Sequence, residues 1–117
     1  WTVGVRDPRG GAGDALLRFP VRDAAFSTSG DYEHAYVAGG RRYHHLIDPR
    51  TCRPAEGLRS VTVLAPSAVE AEIQGKSLFV ADPADAQRLA REAGVEAIVV
   101  DSAGRVFATP GVPTASP

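Results

Sequence analysis

The stretch SVTVLAPSAVEAEIQGKSLFV, residues 60–80, decides the fold because its periodicity changes from that of a strand to that of a helix. Val61, Val63 and Ala65 alternate with their neighbours, which is typical of a strand. Ser67 follows at a position where its hydroxyl can accept a backbone N–H and cap a helix. The sequence therefore predicts a strand that leads through a short connection into a helix.

Two segments extend this unit toward the C-terminus. Residues 83–94, PADAQRLAREAG, predict a second helix with Asp82 as its N-cap and Gly94 as its stop. The segments VEAIVVD and RVFAT then predict a pair of strands. The final segment, PGVPTASP, contains little apolar material. We therefore expect one domain over residues 1–109 and a flexible tail over residues 110–117.

The first half of the chain is rich in short strands. WTVGVRDP alternates in polarity, and residues 16–19 and 24–27 predict further strands. A hairpin around two glycines precedes a strand predicted over residues 42–47. Several strands, two helices and two strands in this order predict an α+β domain with a mixed sheet and two consecutive helices.

Composition excludes several classes of function. Thirteen Lys and Arg residues against fourteen Asp and Glu residues give a net charge of −1, so no basic field for nucleic acid is expected. No apolar run reaches the roughly 18 residues of a membrane span. The single cysteine, Cys52, excludes an intrachain disulfide and a multi-cysteine zinc site.

The segment FSTSGDY is the first candidate for a binding site. Gly30 can adopt a positive φ, and the hydroxyls of Thr28 and Ser29 lie beside successive backbone N–H groups. Such a loop can hold an anionic oxygen. An ordinary turn, in which a hydroxyl accepts a backbone N–H, explains the same residues.

The segment YHHLIDP is the second candidate. Successive strand residues point to opposite faces, so His44 and His45 are not expected to bind one metal ion, and one should face inward while the other faces solvent. Asp48 precedes a proline and is expected to start a turn. A histidine at a strand end can donate to phosphate or transfer a proton. A structural histidine beside a turn-forming aspartate is the alternative.

The third candidate is the pair of Glu72 and Lys76. Their spacing of four residues on a helix predicts an ordinary ion pair. The start of the same helix follows a strand, and helix N-termini commonly bind anions.

Taken in order, the segments WTVGVRDP, AAFSTSGDYE, RYHHLIDPRT, SVTVLAPSAVEAE and KSLFV resemble the C-terminal half of the ApbE-type flavin transferases, the FAD:protein FMN transferase family. They cover most of residues 1–80, and the second helix and the VEAIVVD strand suit the C-terminus of that family. The resemblance implies the ApbE-like flavin transferase fold, which we expect to be incomplete over these 117 residues.

The resemblance also implies a chemistry. A magnesium-dependent transferase of this type splits FAD, passes the FMN moiety to a Thr or Ser hydroxyl of a target flavoprotein and releases AMP. By resemblance, His45 is the catalytic histidine near the pyrophosphate and Glu72 stands at a metal position. The implied cofactor-binding residues are Thr28, Ser29, Gly30, Tyr32, Asp48 and Lys76. Asp48 would anchor the turn that orients His45.

Three positions depart from the family pattern. The family has Asp and Thr where this sequence has Glu72 and Lys76. Glutamate can bind magnesium, whereas a protonated lysine cannot be a ligand. The ammonium of Lys76 would either repel a cation or take its place against the pyrophosphate. Cys52 stands where the family usually has glycine, which bears on the geometry of the turn.

The sequence leaves three functions open. The first is FMN transfer, which needs the family's N-terminal half, so these residues alone are expected to be inactive. The second is a non-catalytic FAD-binding or interaction module with an altered metal site. The third is a truncated piece with a structural role only. A signal or lipid anchor would lie upstream of Trp1, so we expect an exported, membrane-anchored protein or otherwise a cytoplasmic one.

Overall fold

The computed structural model describes residues 1–113. The strands in this range are β1 (Thr2–Arg6), β2 (Ala15–Pro20), β3 (Ala25–Gly30), β4 (Tyr36–Ala38), β5 (Arg41–Tyr43), β6 (Ile47–Asp48), β7 (Arg53–Pro54), β8 (Leu58–Ala65), β9 (Glu96–Asp101) and β10 (Val106–Ala108). The helices α1 (Ala68–Phe79) and α2 (Pro83–Glu92) lie between β8 and β9. This order confirms the α+β class and the two consecutive helices.

A four-stranded sheet in the order β10-β9-β8-β3 forms the centre of the domain. Strand β8 pairs with β3 on one side and with β9 on the other. The alternation of Val61, Val63 and Ala65 does place these side chains in one apolar core, beneath the helices. The sequence predicts a mixed sheet. Over residues 1–113, all strand pairs are antiparallel.

The two helices cover one face of this sheet. Ser67 caps α1 by accepting the N–H of Glu70, and Asp82 caps α2, as predicted. Gly94 follows α2 with a φ of 69°, which suits the stop expected there. The buried positions of α1 are Ala71, Gly75, Leu78 and Phe79. Within the described part of the chain, no helix is long and apolar enough to cross a membrane.

The hairpin of β1 and β2 covers the opposite face of the sheet. Val5 and Phe19 pack there against Ile98 of β9. Val112 joins the same cluster and is 6% exposed. Val112, which lies in the segment predicted as a flexible tail from residue 110, therefore contributes to the core, and residues 114–117 of that segment lie outside the described range.

The strand predicted over residues 42–47 is interrupted. A hairpin turn at Gly39 and Gly40, with φ angles of 59° and 76° that favour glycine, leads into strand β5. Strand β5 then ends at Tyr43. Strand β6 then begins at Ile47 and pairs with β7. The two adjacent histidines consequently lie in the connection between two short strands.

Candidate functional site

Strand β3 continues to Gly30, through the segment for which the sequence leaves an anion-binding loop and an ordinary turn open. Thr28, Ser29 and Gly30 pair in regular register with β8. Gly30 is not among the described residues with positive φ, so the fold does not use the conformation that the sequence allows there. Glycine is required there for another reason, because a Cβ at this position would overlap the ring of Tyr32. Pairing with β8 has overridden the local turn preference of the sequence.

The strand geometry separates the hydroxyls of Thr28 and Ser29. Ser29 is buried on the side that faces α1, where its hydroxyl lies next to Gly75. Thr28 points to the other side and shares a hydrogen bond of 2.8 Å with the hydroxyl of Thr62. These two hydroxyls therefore cannot hold one anion as neighbours in a loop.

A polar cluster links β3 to α1. Lys76 forms the predicted ion pair with Glu72, contacting the Oε1 atom. The hydroxyl of Ser27 donates a hydrogen bond to the Oε2 atom of the same carboxylate. The side chains of Glu72 and Lys76 are 50% and 51% exposed, so a ligand can reach both. Ser27 was missed in the sequence, although it lies on the same side of β3 as Ser29, two residues away.

His44 is a structural residue of the core. Its Nδ1 atom accepts the N–H of Leu46 at 3.1 Å, and its Nε2 atom therefore donates to the carbonyl of Ala55 at 2.8 Å. Its ring lies edge-on to Phe79, with ring centroids 5.7 Å apart. Both ring nitrogens are thus used by the fold, which leaves His44 without a free group for catalysis.

His45 has the opposite surroundings. It is exposed, and no hydrogen bond to its ring occurs within residues 1–113. The ring of His34 contacts it edge-on, with centroids 5.3 Å apart and planes at 89°. The expectation that one of the adjacent histidines faces inward and the other faces solvent is confirmed, although no continuous strand carries them.

The pKa of His45 lies below its ordinary value of 6.5. Partial desolvation is the largest cause, and the neighbouring rings of His34 and His44 lower the pKa further. The ammonium of Lys76 acts in the same direction, whereas the carboxylate of Glu33 opposes it. The neutral imidazole, which can accept a proton, is therefore the favoured form near neutral pH.

Asp48 holds the turn that follows the two histidines. Its Oδ1 atom accepts the backbone N–H of Arg50 at 2.8 Å, and its carboxylate also binds the guanidinium of Arg50. These hydrogen bonds lower the pKa of Asp48, with the side chain of Arg50 as the largest cause. Arg50 in turn donates to the carbonyl of Val80 at 3.0 Å, which ties the turn to the end of α1.

Tyr32 lies next to the end of β3 in a partly buried position. The guanidinium of Arg6 stands 4.9 Å from its ring centroid, a cation–π distance. Burial raises the pKa of Tyr32 above its ordinary value, and the charge of Glu33 adds to this. Asp31, the preceding residue, forms a two-pronged ion pair with Arg9 at 2.7 and 2.6 Å. The loop after β1 is thereby attached to the end of β3.

Taken together, these features define an α+β domain in which a strand serine is bonded to an exposed helical ion pair, and in which the charge of Lys76 from that pair lowers the pKa of an exposed histidine. The sequence profile of the ApbE family matches residues 1–99, and the chain belongs to that family. The resemblance drawn from the motifs is confirmed.

Individual relatives support this membership. The chain is 40% identical over 113 residues to the FAD:protein FMN transferase of Rhodobacter capsulatus, covering 94% of this chain and 21% of that protein. It is 39% identical over 114 residues to the enzyme of the same name from Treponema pallidum (strain Nichols), covering 96% of this chain and 32% of that protein.

A solved structure shows the same fold. The ApbE protein of Thermotoga maritima superposes with a TM-score of 0.87 at 34% identity, over 94% of this chain and 36% of that one. The chain therefore spans between about a fifth and about a third of the relatives that it matches.

Proposed function

We propose that this chain is part of an FAD:protein FMN transferase, which moves FMN from FAD to a Thr or Ser hydroxyl of a target flavoprotein and releases AMP. The names of its relatives support FAD as the substrate and a protein as the acceptor. Because the chain spans at most about a third of these relatives, the activity requires the rest of the family fold as well.

The observation that carries this proposal is the contrast between His45, whose ring nitrogens are free within the described residues, and His44, whose ring nitrogens are both engaged. In the proposed step, the acceptor hydroxyl oxygen attacks the phosphorus on the FMN side of the pyrophosphate. The bond from that phosphorus to the bridging oxygen breaks, and AMP leaves with the bond's electron pair. The hydroxyl proton passes to the neutral imidazole of His45.

The remaining candidate residues have supporting roles in this proposal. Lys76 faces the negative charge that grows on the departing AMP. Asp48 and Arg50 hold the turn after His45 against the end of α1. Ser29 and Gly30 are buried where β3 packs against β8 and α1, so in this proposal they shape the strand beside the FAD site and do not contact FAD. Thr28 points to the other side of β3, where its hydroxyl bonds that of Thr62, so it belongs to a neighbouring surface.

Magnesium was implied by the resemblance, but the residues present do not fit it. Magnesium prefers about six oxygen ligands in octahedral geometry. Within residues 1–113, no group of three or more His, Cys, Asp or Glu side chains could hold a metal ion. At the expected position, Glu72 already binds the ammonium of Lys76 and the hydroxyl of Ser27.

A non-catalytic FAD-binding module is the second candidate, and the altered pair of Glu72 and Lys76 favours it. The two functions are separated by incubating the full-length protein with FAD and an acceptor peptide, with and without magnesium. Chromatography would detect AMP, and mass spectrometry would detect FMN on the peptide. We expect AMP to form. Saturable FAD binding without AMP under either condition would refute the transferase and leave the binding module.

A further inference from the structure

The surroundings of Glu72 determine which cation can occupy this surface. One carboxylate oxygen contacts the ammonium of Lys76, and the other accepts the hydroxyl of Ser27. Both oxygens therefore have a partner before any ligand arrives. A divalent cation that bound this carboxylate would also have to lie beside the ammonium, and like charges at such short range repel strongly.

Lys76 is placed to do what a bound cation would otherwise do. Its position four residues after Glu72 on α1 holds the ammonium on the exposed side of the helix. An ammonium has three N–H donors, and Glu72 takes one of them. The other two N–H donors remain available to make charge-assisted hydrogen bonds with phosphate oxygens. The side chain is half exposed, so a pyrophosphate can approach it.

We propose that Lys76, held by Glu72, whose other carboxylate oxygen accepts from Ser27, is the resident cation of this site and binds the pyrophosphate of FAD directly, without a divalent cation on Glu72. This inference rests on the proposed function for the identity of the ligand. An ammonium then stands where the family resemblance implies magnesium, and the two residues that cause this difference are Glu72 and Lys76.

The first test measures metal binding and does not depend on transferase activity. Full-length protein is titrated with Mn²⁺, and the signal of free Mn²⁺ is followed by electron paramagnetic resonance. The wild type is expected to bind no Mn²⁺ that depends on Glu72, so Glu72→Gln leaves the titration unchanged. The double variant Glu72→Asp with Lys76→Thr is expected to bind one additional Mn²⁺.

The second test measures the affinity for FAD in the presence of EDTA. Replacing Lys76→Thr is expected to raise the dissociation constant about tenfold, because a charge-assisted contact to phosphate is lost. Lys76→Arg, which keeps the positive charge, should remain close to the wild type. The matched control is Arg88→Thr on α2, since Arg88 forms a similar ion pair with Glu92 four residues away. This control should not change FAD affinity.

The proposal requires both results. Mn²⁺ bound by the wild type and lost in Glu72→Gln would overturn it, as would unchanged FAD affinity in Lys76→Thr. A double variant that gains no Mn²⁺ would contradict the claim that Lys76 is what excludes the metal. If both binding results hold and no AMP is formed, the proposed function fails while the assignment of Lys76 stands.

Discussion

His44 and His45 are neighbours with the same side chain, yet the fold gives them opposite surroundings. His44 is buried and uses both ring nitrogens to connect Leu46 and Ala55. His45 is exposed, makes no hydrogen bond through its ring within the described residues, lies edge-on to the ring of His34, and has a lowered pKa. One histidine thus holds the segment in place, and the other is left facing solvent.

The largest expected effect is on the rate, from the variant His45→Asn. Removing a group that accepts a proton in the transition state lowers a rate by about 10²- to 10⁴-fold. We expect FMN transfer by the full-length protein to fall within this range, measured as AMP released per minute. The melting temperature should stay near that of the wild type, because His45 is exposed. A variant with normal rate would remove His45 from the mechanism.

The variant His44→Ala should have the reverse effect, on stability. It leaves the Leu46 N–H and the Ala55 carbonyl without their partner and removes the ring contact with Phe79. The free energy of unfolding is expected to fall by about 1–3 kcal/mol, the cost of leaving buried polar groups unpaired. Chemical denaturation measures this change. If stability were unchanged and only the rate fell, the roles assigned to the two histidines would be exchanged.

A smaller effect, and one of opposite sign, is expected from a substitution in the turn after the histidines, where stability should rise. Cys52 has a φ of 56°, a left-handed conformation that favours glycine. Replacing Cys52→Gly should raise the free energy of unfolding by about 0.5–1 kcal/mol, since relief of strain exceeds the greater freedom of glycine when unfolded. Cys52→Ala is the matched control, because it removes the thiol and keeps the strain. Equal stabilisation by both variants would show that loss of the thiol, and not relief of backbone strain, raises the free energy of unfolding.

The finest test of the comparison concerns pH. Because the pKa of His45 lies below 6.5, the neutral ring is still the major form at that pH, and half of the rings are protonated only at a lower pH. The transfer rate should therefore decline on the acid side of 6.5. The other groups that influence this titration are His34, His44, Lys76 and Glu33.

His34→Phe sharpens this prediction. The phenyl ring keeps the edge-on contact with His45 but carries no charge. The pKa of His45 should therefore rise toward its ordinary value, and the acid limb of the rate profile should move to higher pH. Nuclear magnetic resonance of the His45 ring proton measures the pKa directly. A pKa that stays the same or falls would exclude His34 as a cause of the shift.

Much of the fold follows from local sequence signals. The strand β8, the Ser67 cap and helix α1 could be predicted because each depends on residues within a few positions of one another. The same holds for α2, with Asp82 before it and Gly94 after it. These signals agree with the tertiary structure, so they gave the correct elements.

The errors arose where distant residues decide the outcome. The segment Thr28 to Gly30 has the composition of a turn, but six consecutive residue pairs with β8 keep it extended. Ser27 reaches Glu72 across 45 positions of sequence, and no local pattern indicates that contact. His34 likewise meets His45 only through the fold. The motifs therefore indicated the family, the exposed histidine and the ion pair of Glu72 with Lys76, whereas the contact of Ser27 with that pair required the structure.

We proposed above that this chain is part of an enzyme that attaches FMN to protein. The most direct measurement is a time course in which the full-length protein acts on FAD and a Thr-containing acceptor peptide, with AMP and peptide-bound FMN counted together. We expect one FMN to be attached for each AMP released, with both falling together in His45→Asn. AMP released together with free FMN and an unmodified peptide, or no AMP at all, would contradict it.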